Sequence, residues 1–403
     1  MSGEADGPVT PMRLAVVIES FNPAAGGNER STQQIIQELV ERGQDVTLIT
    51  GCCDAENEPA GVSVRVMSRE KSSSVFRLMR FAKWAKAQLR EGRFDASLSV
   101  TMAVPASVVQ PRGGTVRETL ARNVVMKQGG WAGLWKKIEV QLDAKQRLLL
   151  KLEKQTLTDP SVFRVAAISR YVVEQLERHY AFPASRTAVI PNAAVMPAVD
   201  DVQQSAWRDE VRAEFNVPDE AVLYLLAAQN PRLKGYPTLL GALNILREQG
   251  VPAVALLIGG FGDRELRSAK AAEVEHMVRF VGPTREMPRM FAAADVTVLP
   301  SWYDPSSKVV LESLMTGTPA ISTTFNGASD HLTPPEGPPR GVVIDDPGDP
   351  RKLADAMAKL ADPGFRAACS AACGGLAGQL SMARHVDRLE AVLAEAARAA
   401  SAG

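Results

Sequence analysis

At 403 residues the chain has room for two domains of ordinary size, each with its own core. Lys and Arg together balance Asp and Glu at 46 each, which argues against a dedicated nucleic-acid binder, and 45% hydrophobic with 23% charged residues is ordinary for a globular protein. Residues 1–11 are small and polar and no apolar run of about eighteen residues follows, so neither a signal peptide nor a membrane span is expected. The cysteines (Cys52, Cys53, Cys369, Cys373) and histidines (His179, His276, His331, His385) match no zinc or disulfide framework. Reduced thiols, a cytoplasmic location and no metal or other cofactor are therefore expected.

Beyond residues 1–11, expected to be disordered, residues 13–18 (Arg-Leu-Ala-Val-Val-Ile) read as a buried parallel strand. A turn ending in Gly26-Gly27 follows, then a helix with Ile35, Ile36, Leu39 and Val40 at helical spacing, then a strand over 45–49. That order opens a doubly wound sheet, whose ligands gather at the C-terminal ends of its strands. The turn lacks the spaced third glycine of the dinucleotide fingerprint. Residues 74–93 form a helix with Val75, Leu78, Phe81, Ala82, Ala85 and Leu89 on one side. Its other side carries Arg80, Lys83, Lys86 and Arg90 with Phe76 and Met79, which suits either a solvated face or anionic lipid headgroups. The stretch 127–154 is also basic and carries Trp131 and Trp135. After a strand at 96–100, the loop Gln110-Pro111-Arg112-Gly113-Gly114-Thr115 sets an arginine beside two glycines, suited to an anionic or hydroxyl-rich acceptor. Strands over 165–169 and 189–192, with a helix between them, close this half.

Prolines and acids over 195–201 mark a boundary, and a polar helix to Phe215 follows. A second alternating series then runs from a strand at 221–228 through the loop Asn230-Pro231-Arg232-Leu233-Lys234-Gly235, a helix, and a strand at 251–258. The turn Gly259-Gly260-Phe261-Gly262, a further helix and the strand Val278-Arg279-Phe280-Val281 before Gly282 continue it. Arg232 and Lys234 would neutralise a diphosphate leaving group at a strand end. A strand over 295–299 leads into Ser301-Trp302-Tyr303-Asp304-Pro305-Ser306-Ser307-Lys308-Val309, where a helix starts and carries Glu312 on its second turn. Helix N-termini hold anions because their first N–H groups lack partners and sit at the positive end of the dipole. Two carboxylates flanking such a site make a grip for a nucleotide sugar.

The ordered series Gly-Gly-x-Glu-Arg, Ile190-Pro191-Asn192, Arg232-x-Lys234-Gly235, Gly260-x-Gly262, Val281-Gly282 and the acid-x7-Glu stretch before Gly317-Thr318-Pro319 resembles the family 4 retaining glycosyltransferases. Nearly the whole chain is covered, and bacterial lipopolysaccharide core glycosyltransferases look most similar. The resemblance implies an α/β fold of two Rossmann-like domains facing across a cleft, the B-type glycosyltransferase fold. It places an acceptor-binding domain over 12–197, a nucleotide-sugar domain over 198–378, and a helix over 379–403 crossing back to the first domain. It implies a metal-independent hexosyltransferase that takes a nucleoside-diphosphate sugar (UDP-linked by expectation) to a glycan or lipid-linked glycan in cell-envelope polysaccharide synthesis. The co-substrate stands in place of any cofactor, and peripheral attachment to the inner membrane is expected. Arg232 and Lys234 would hold the diphosphate, Asp304 face the sugar and Glu312 bind ribose. Ser306 and the amides of Ser307, Lys308 and Val309 would meet phosphate and sugar. Gly260, Gly262, Val281 and Gly282 would line the nucleotide, and Gly26 and Gly27 would reach the reaction centre.

Three departures stand out. Asp304 replaces the usual glutamate, Pro191-Asn192-Ala193 replaces Pro-Asn-Gly, and no histidine precedes His179. Relatives place a His or Asp near 100–110, and alignment puts Ser107 there, so Ser107 and Arg112 are the acceptor-side candidates. The missing histidine opens the alternative of a catalytically weak nucleotide-sugar-binding protein. It argues against another, a sugar-nucleotide epimerase.

Overall fold

Continuous apolar runs become the centres of two parallel sheets, because a strand covered by helices on both faces has no solvent side to keep polar. The computed structural model describes residues 11–24, 26–68, 73–127 and 143–402. The expectations for residues 1–10, Trp131 and Trp135 fall outside them.

The first sheet contains β1 (Arg13–Ile18), β2 (Asp45–Thr50), β3 (Ser63–Val66), β4 (Ala96–Ser99), β5 (Val108–Val109), β6 (Arg164–Ala167) and β7 (Thr187–Val189), in the order β3-β2-β1-β4-β5-β6-β7. The second contains β8 (Val222–Ala228), β9 (Ala253–Gly259), β10 (Val278–Gly282), β11 (Val296–Val298), β12 (Ala320–Thr323) and β13 (Gly341–Ile344), in the order β10-β9-β8-β11-β12-β13. Every pairing within both sheets is parallel. All seven residues of β8 and of β9 are buried. In each sheet the winding reverses beside a central strand, between β1 and β4 and between β8 and β11. Such reversals open a crevice at the strands' C-terminal ends.

The polar helix Asp201–Glu214 enters the second sheet, capped by Asp200, which accepts the Gln203 N–H at 2.8 Å. At the other end of the chain, helix Met382–Ala402 leaves that unit and packs on the first. Val386, Leu389, Val392 and Leu393 bury against Ile35, Leu39 and the β1–β4 surface. Arg42 fastens it there, pairing with Asp387 at 2.7 Å and Glu390 at 3.2 Å.

Candidate active site

The loops after β8 and β11 are neighbours because those strands pair across the reversal of the second sheet. Gly235, at φ +78°, turns the first loop so tightly that a Cβ there would sit 2.3 Å from the Pro300 carbonyl oxygen. The Trp302 N–H donates to the Leu233 carbonyl at 2.9 Å, fixing one loop on the other. Lys234 Nζ thereby reaches the Asp304 carboxylate and forms an ion pair, both side chains less than a fifth exposed. Asp304 also accepts the Ser306 N–H at 3.1 Å, and its own N–H donates to the Phe325 carbonyl at 2.9 Å. Asp304, expected to face the sugar, thus has a cation and a backbone amide as its partners here.

Helix Lys308–Met315 starts here with Ser307 as N-cap and no side-chain cap. The Ser307 N–H, expected to meet phosphate, instead donates to Asn326 Oδ1 at 3.2 Å. Among the described residues, the amides of Lys308 and Val309 have no protein acceptor, as first-turn helix amides do until a side chain or ligand meets them. Lys308 and Glu312 are four apart and share one helix face. Burial raises the Glu312 carboxyl to about 7, against the pull of Lys308 and Arg30. Burial also lowers the Lys308 ammonium to about 8, with Arg112 and Arg30 pushing the same way and Glu312 opposing. Arg30 sits in the first turn of helix Gly27–Glu41 and Arg112 in the loop after β5, both on the first sheet's side, so the field at this helix is set by both domains.

Arg232 takes a different place from Lys234. It is exposed and lines a 260 Å³ cavity with Met126, Pro237, Thr238, Trp302, Gly348 and Pro350. Gly260 donates its N–H to the Ala228 carbonyl at 2.7 Å, and Gly262 opens helix Asp263–Ala271 with its own N–H held by Glu265 at 3.1 Å. Val281 and Gly282 end β10, two strands from β8, at the same C-terminal edge.

On the first sheet, the ends of β1, β4 and β5 surround a 330 Å³ cavity lined by Glu19, Ser20, Asn28, Glu29, Thr101 and Arg112, among others. Gly26 is the extended N-cap of helix Gly27–Glu41, and a Cβ on Gly27 would meet nothing. A Cβ on Gly26 would fall 2.6 Å from Glu29 Oε2, the end of a flexible side chain, so only Gly27 stands in open space at the helix mouth. Ser107 lies elsewhere. It precedes β5, where its hydroxyl donates to the Ser97 carbonyl at 2.9 Å and accepts the Ser97 N–H at 2.7 Å. That is the strand's N-terminal edge, so Ser107 joins β5 to β4 and is corrected from an acceptor-side candidate to a structural residue. The position that follows β5 into the cavity is Gln110-Pro111-Arg112.

Arg112 is half-buried and donates from Nη1 to Gln110 Oε1 at 3.0 Å and from Nη2 to Asn192 Oδ1 at 3.1 Å. Burial lowers its guanidinium to about 10. Gln110 also contacts His385 of the last helix at 3.4 Å, and burial holds that imidazole at about 4, hence neutral. Asn192 donates on to the Ser306 carbonyl at 3.2 Å. Nearby, Tyr303 Oη donates to the Gly113 carbonyl at 2.8 Å, and Gly114, at φ +69°, leaves the space Tyr303 needs, since a Cβ would fall 2.1 Å from its oxygen. Ser169 Oγ donates to the Pro305 carbonyl at 2.7 Å, and Arg122 stacks on Phe325 with its guanidinium 3.3 Å from the ring centre. The 301–307 segment is thus a face through which the two units meet. Gln110, Asn192 and Asn326 carry much of this network. Sequence reading met Gln110 and Asn192 only as members of motifs and passed over Asn326, because neutral amides leave no charge signal.

The description "Glycosyltransferase Family 4" matches residues 25–194, and "Glycosyl transferases group 1" matches residues 220–362. The two cover most of the chain in the order the sequence pattern requires. The chain belongs to the family 4 glycosyltransferases. Among solved structures, this glycosyltransferase is similar to WaaG, "a glycosyltransferase involved in lipopolysaccharide biosynthesis", at TM-score 0.70 and 17% identity over 94% of this chain and 99% of that one. It is also similar to Anabaena HepE in complex with UDP-glucose, at TM-score 0.65 and 17% identity over 95% and 100%. Both likenesses establish the B-type fold of two Rossmann-like units. By sequence it is 24% identical to the D-inositol 3-phosphate glycosyltransferase of Nocardiopsis dassonvillei over 96% of each chain. The corresponding protein of Corynebacterium urealyticum is 28% identical over 47% of this chain and 46% of that one.

Proposed function

We propose that this glycosyltransferase moves a hexose, with retention, from a nucleoside-diphosphate sugar to a glycan or lipid-linked glycan acceptor, without a metal. The observation that carries this reading is the Lys234–Asp304 pair set beside the open amides of Lys308 and Val309, with Glu312 one turn further in. Lys234 and the helix mouth neutralise the departing diphosphate, while Glu312 accepts from ribose hydroxyls. The acceptor oxygen bonds to the anomeric carbon as the carbon–phosphate oxygen bond breaks. The electron pair leaves on the diphosphate, which takes the acceptor's proton, so no side-chain base is required. UDP is favoured as carrier because HepE, of the same fold, was solved with UDP-glucose. A role in envelope polysaccharide synthesis follows from the likeness to WaaG.

Thermal unfolding with UDP, GDP, ADP and their hexose conjugates tests the donor reading. The preferred nucleotide at 100 times its Kd adds about 2.7 kcal/mol to native stability, a midpoint rise of several degrees, with UDP expected first. No rise with any of them at millimolar concentration would sink the reading.

We also propose that the enzyme works at the cytoplasmic face of an anionic membrane. No helix among the described residues is long and apolar enough to cross one. Helix Ser74–Glu91 leaves Phe76 48% and Met79 44% exposed, and Met79, Lys83 and Lys86 line a 590 Å³ groove with Leu148, Lys151 and Leu152 of helix Ala144–Thr158. Lys86 is tied to Asp159 at 2.6 Å, so its replacement would also break a contact within the protein. Sedimentation with anionic vesicles at low salt should weaken several-fold in the Arg80→Glu/Lys83→Glu variant, at about 1 kcal/mol per basic residue removed. Equal pelleting of variant and wild type, or pelleting with neither, would leave this face merely solvated.

A further inference from the structure

Arg112 is an arginine on the acceptor-side domain whose hydrogen-bond partners carry no charge. Its two hydrogen bonds go to neutral amide oxygens, those of Gln110 and Asn192, and among the described residues it belongs to no ion pair. A guanidinium has five N–H donors in a fixed fork, so others remain for a ligand. Holding a half-buried cation with only neutral partners is costly unless an anion arrives to complete it.

Two observations say from which side that anion comes. The cavity that Arg112 lines also presents Glu19 and Glu29. Two carboxylates repel a phosphorylated or carboxylated acceptor and suit one that offers hydroxyls. The donor side is different. Asn192, which receives Nη2 of Arg112, donates in turn to the Ser306 carbonyl at 3.2 Å, so the guanidinium is braced against the segment that leads into helix Lys308–Met315. There the unpartnered amides of Lys308 and Val309, the Lys308 ammonium and Arg112 converge. Arg112 lies close enough to lower the Lys308 pKa, so the two cations already repel each other across the domain seam.

We infer that Arg112 is a donor-phosphate ligand supplied by the acceptor domain, binding the β-phosphate of the nucleotide sugar opposite the N-terminus of helix Lys308–Met315. This rests on the donor reading given above and goes beyond it. It moves the acceptor-side Arg112 to the leaving group and makes catalysis depend on both domains meeting. The negative charge on that phosphate grows as the bond to the sugar breaks, so the contact strengthens in the transition state. Gln110 and Asn192 position the fork.

Calorimetric titration of the full chain with UDP and with UMP tests the assignment, because only UDP carries the β-phosphate. Arg112→Gln should weaken UDP by about 10- to 100-fold, the range for a charge-assisted hydrogen bond lost, and leave UMP within about twofold. Arg112→Lys, which keeps the charge without the fork, should fall between and serves alone if the glutamine variant does not fold. UDP and UMP weakened equally, or UDP unchanged in a folded variant, would overturn the inference while the donor reading stands. A wild-type protein that binds none of UDP, GDP or ADP would remove the donor reading, and the inference with it.

Discussion

Lys234→Ala is expected to lower the rate of sugar transfer by about 100- to 1,000-fold, the scale of removing one preorganised charge from a developing oxyanion. Lys234 follows β8 and Asp304 follows β11, and the two sit together only because those strands are neighbours in the sheet. Their pairing makes the variant more than a catalytic probe. Without the ammonium, Asp304 keeps the Ser306 amide as its bonded partner in a mostly buried position, which costs about 1–3 kcal/mol of stability. The double variant Lys234→Ala/Asp304→Ala should recover most of that stability and none of the transfer. Denaturant unfolding and a transfer assay on the single and double variants separate the two effects. Transfer by Lys234→Ala within tenfold of wild type would remove Lys234 from the leaving-group site. Equal stability of single and double variants would show that the pair adds nothing to the fold.

Much of the architecture was legible because its central strands are long apolar runs. Residues 13–18, 222–228 and 253–259 admit no half-solvated reading, and each is followed by a glycine-bearing turn. The edge strand β3 escaped notice because Val64 and Arg65 are only half-buried and its pattern is broken. Strand β5 escaped because two residues carry no periodicity at all, and its place in the sheet depends on the Ser97–Ser107 bonds to β4. That same shortness misplaced the acceptor-side residue. On a two-residue strand, the six residues from Ser107 to Arg112 cross from one sheet edge to the other. The Asp304–Lys234 pair was illegible for another reason. Each residue was visible as a charge beside a turn, but their contact spans 70 positions and requires the strand order. The Arg112–Asn192–Ser306 chain of bonds joins three loops from two sheets, and sequence spacing carries no trace of it.

Nucleotide affinity is expected to be greatest between about pH 7 and 8, the window set by Glu312 at about 7 and Lys308 at about 8. Below 7 the Glu312 carboxyl gains a proton and can no longer accept from both ribose hydroxyls. Above 8 the Lys308 ammonium loses its charge beside the phosphate. The free protein should show the opposite preference in stability. Burial raises the Glu312 pKa above its ordinary 4.5, so the native state holds more protons than the unfolded chain, and stability falls as pH rises from about 4.5 to 7. Burial lowers the Lys308 pKa from 10.5, so the native state holds fewer protons there, and stability rises from about 8 to 10.5. Both charged groups are therefore held at a cost that is greatest where binding is strongest, which is how a preorganised site stores part of its affinity. Glu312→Gln should abolish the acidic limb, stabilise the free protein near neutral pH, and weaken nucleotide by about 10-fold or more through the lost ribose contacts. Calorimetry of UDP binding from pH 5.5 to 9.5, beside unfolding of both proteins over the same range, reads all three. An acidic limb that persists in Glu312→Gln would assign the titration to another group and take the ribose role from Glu312.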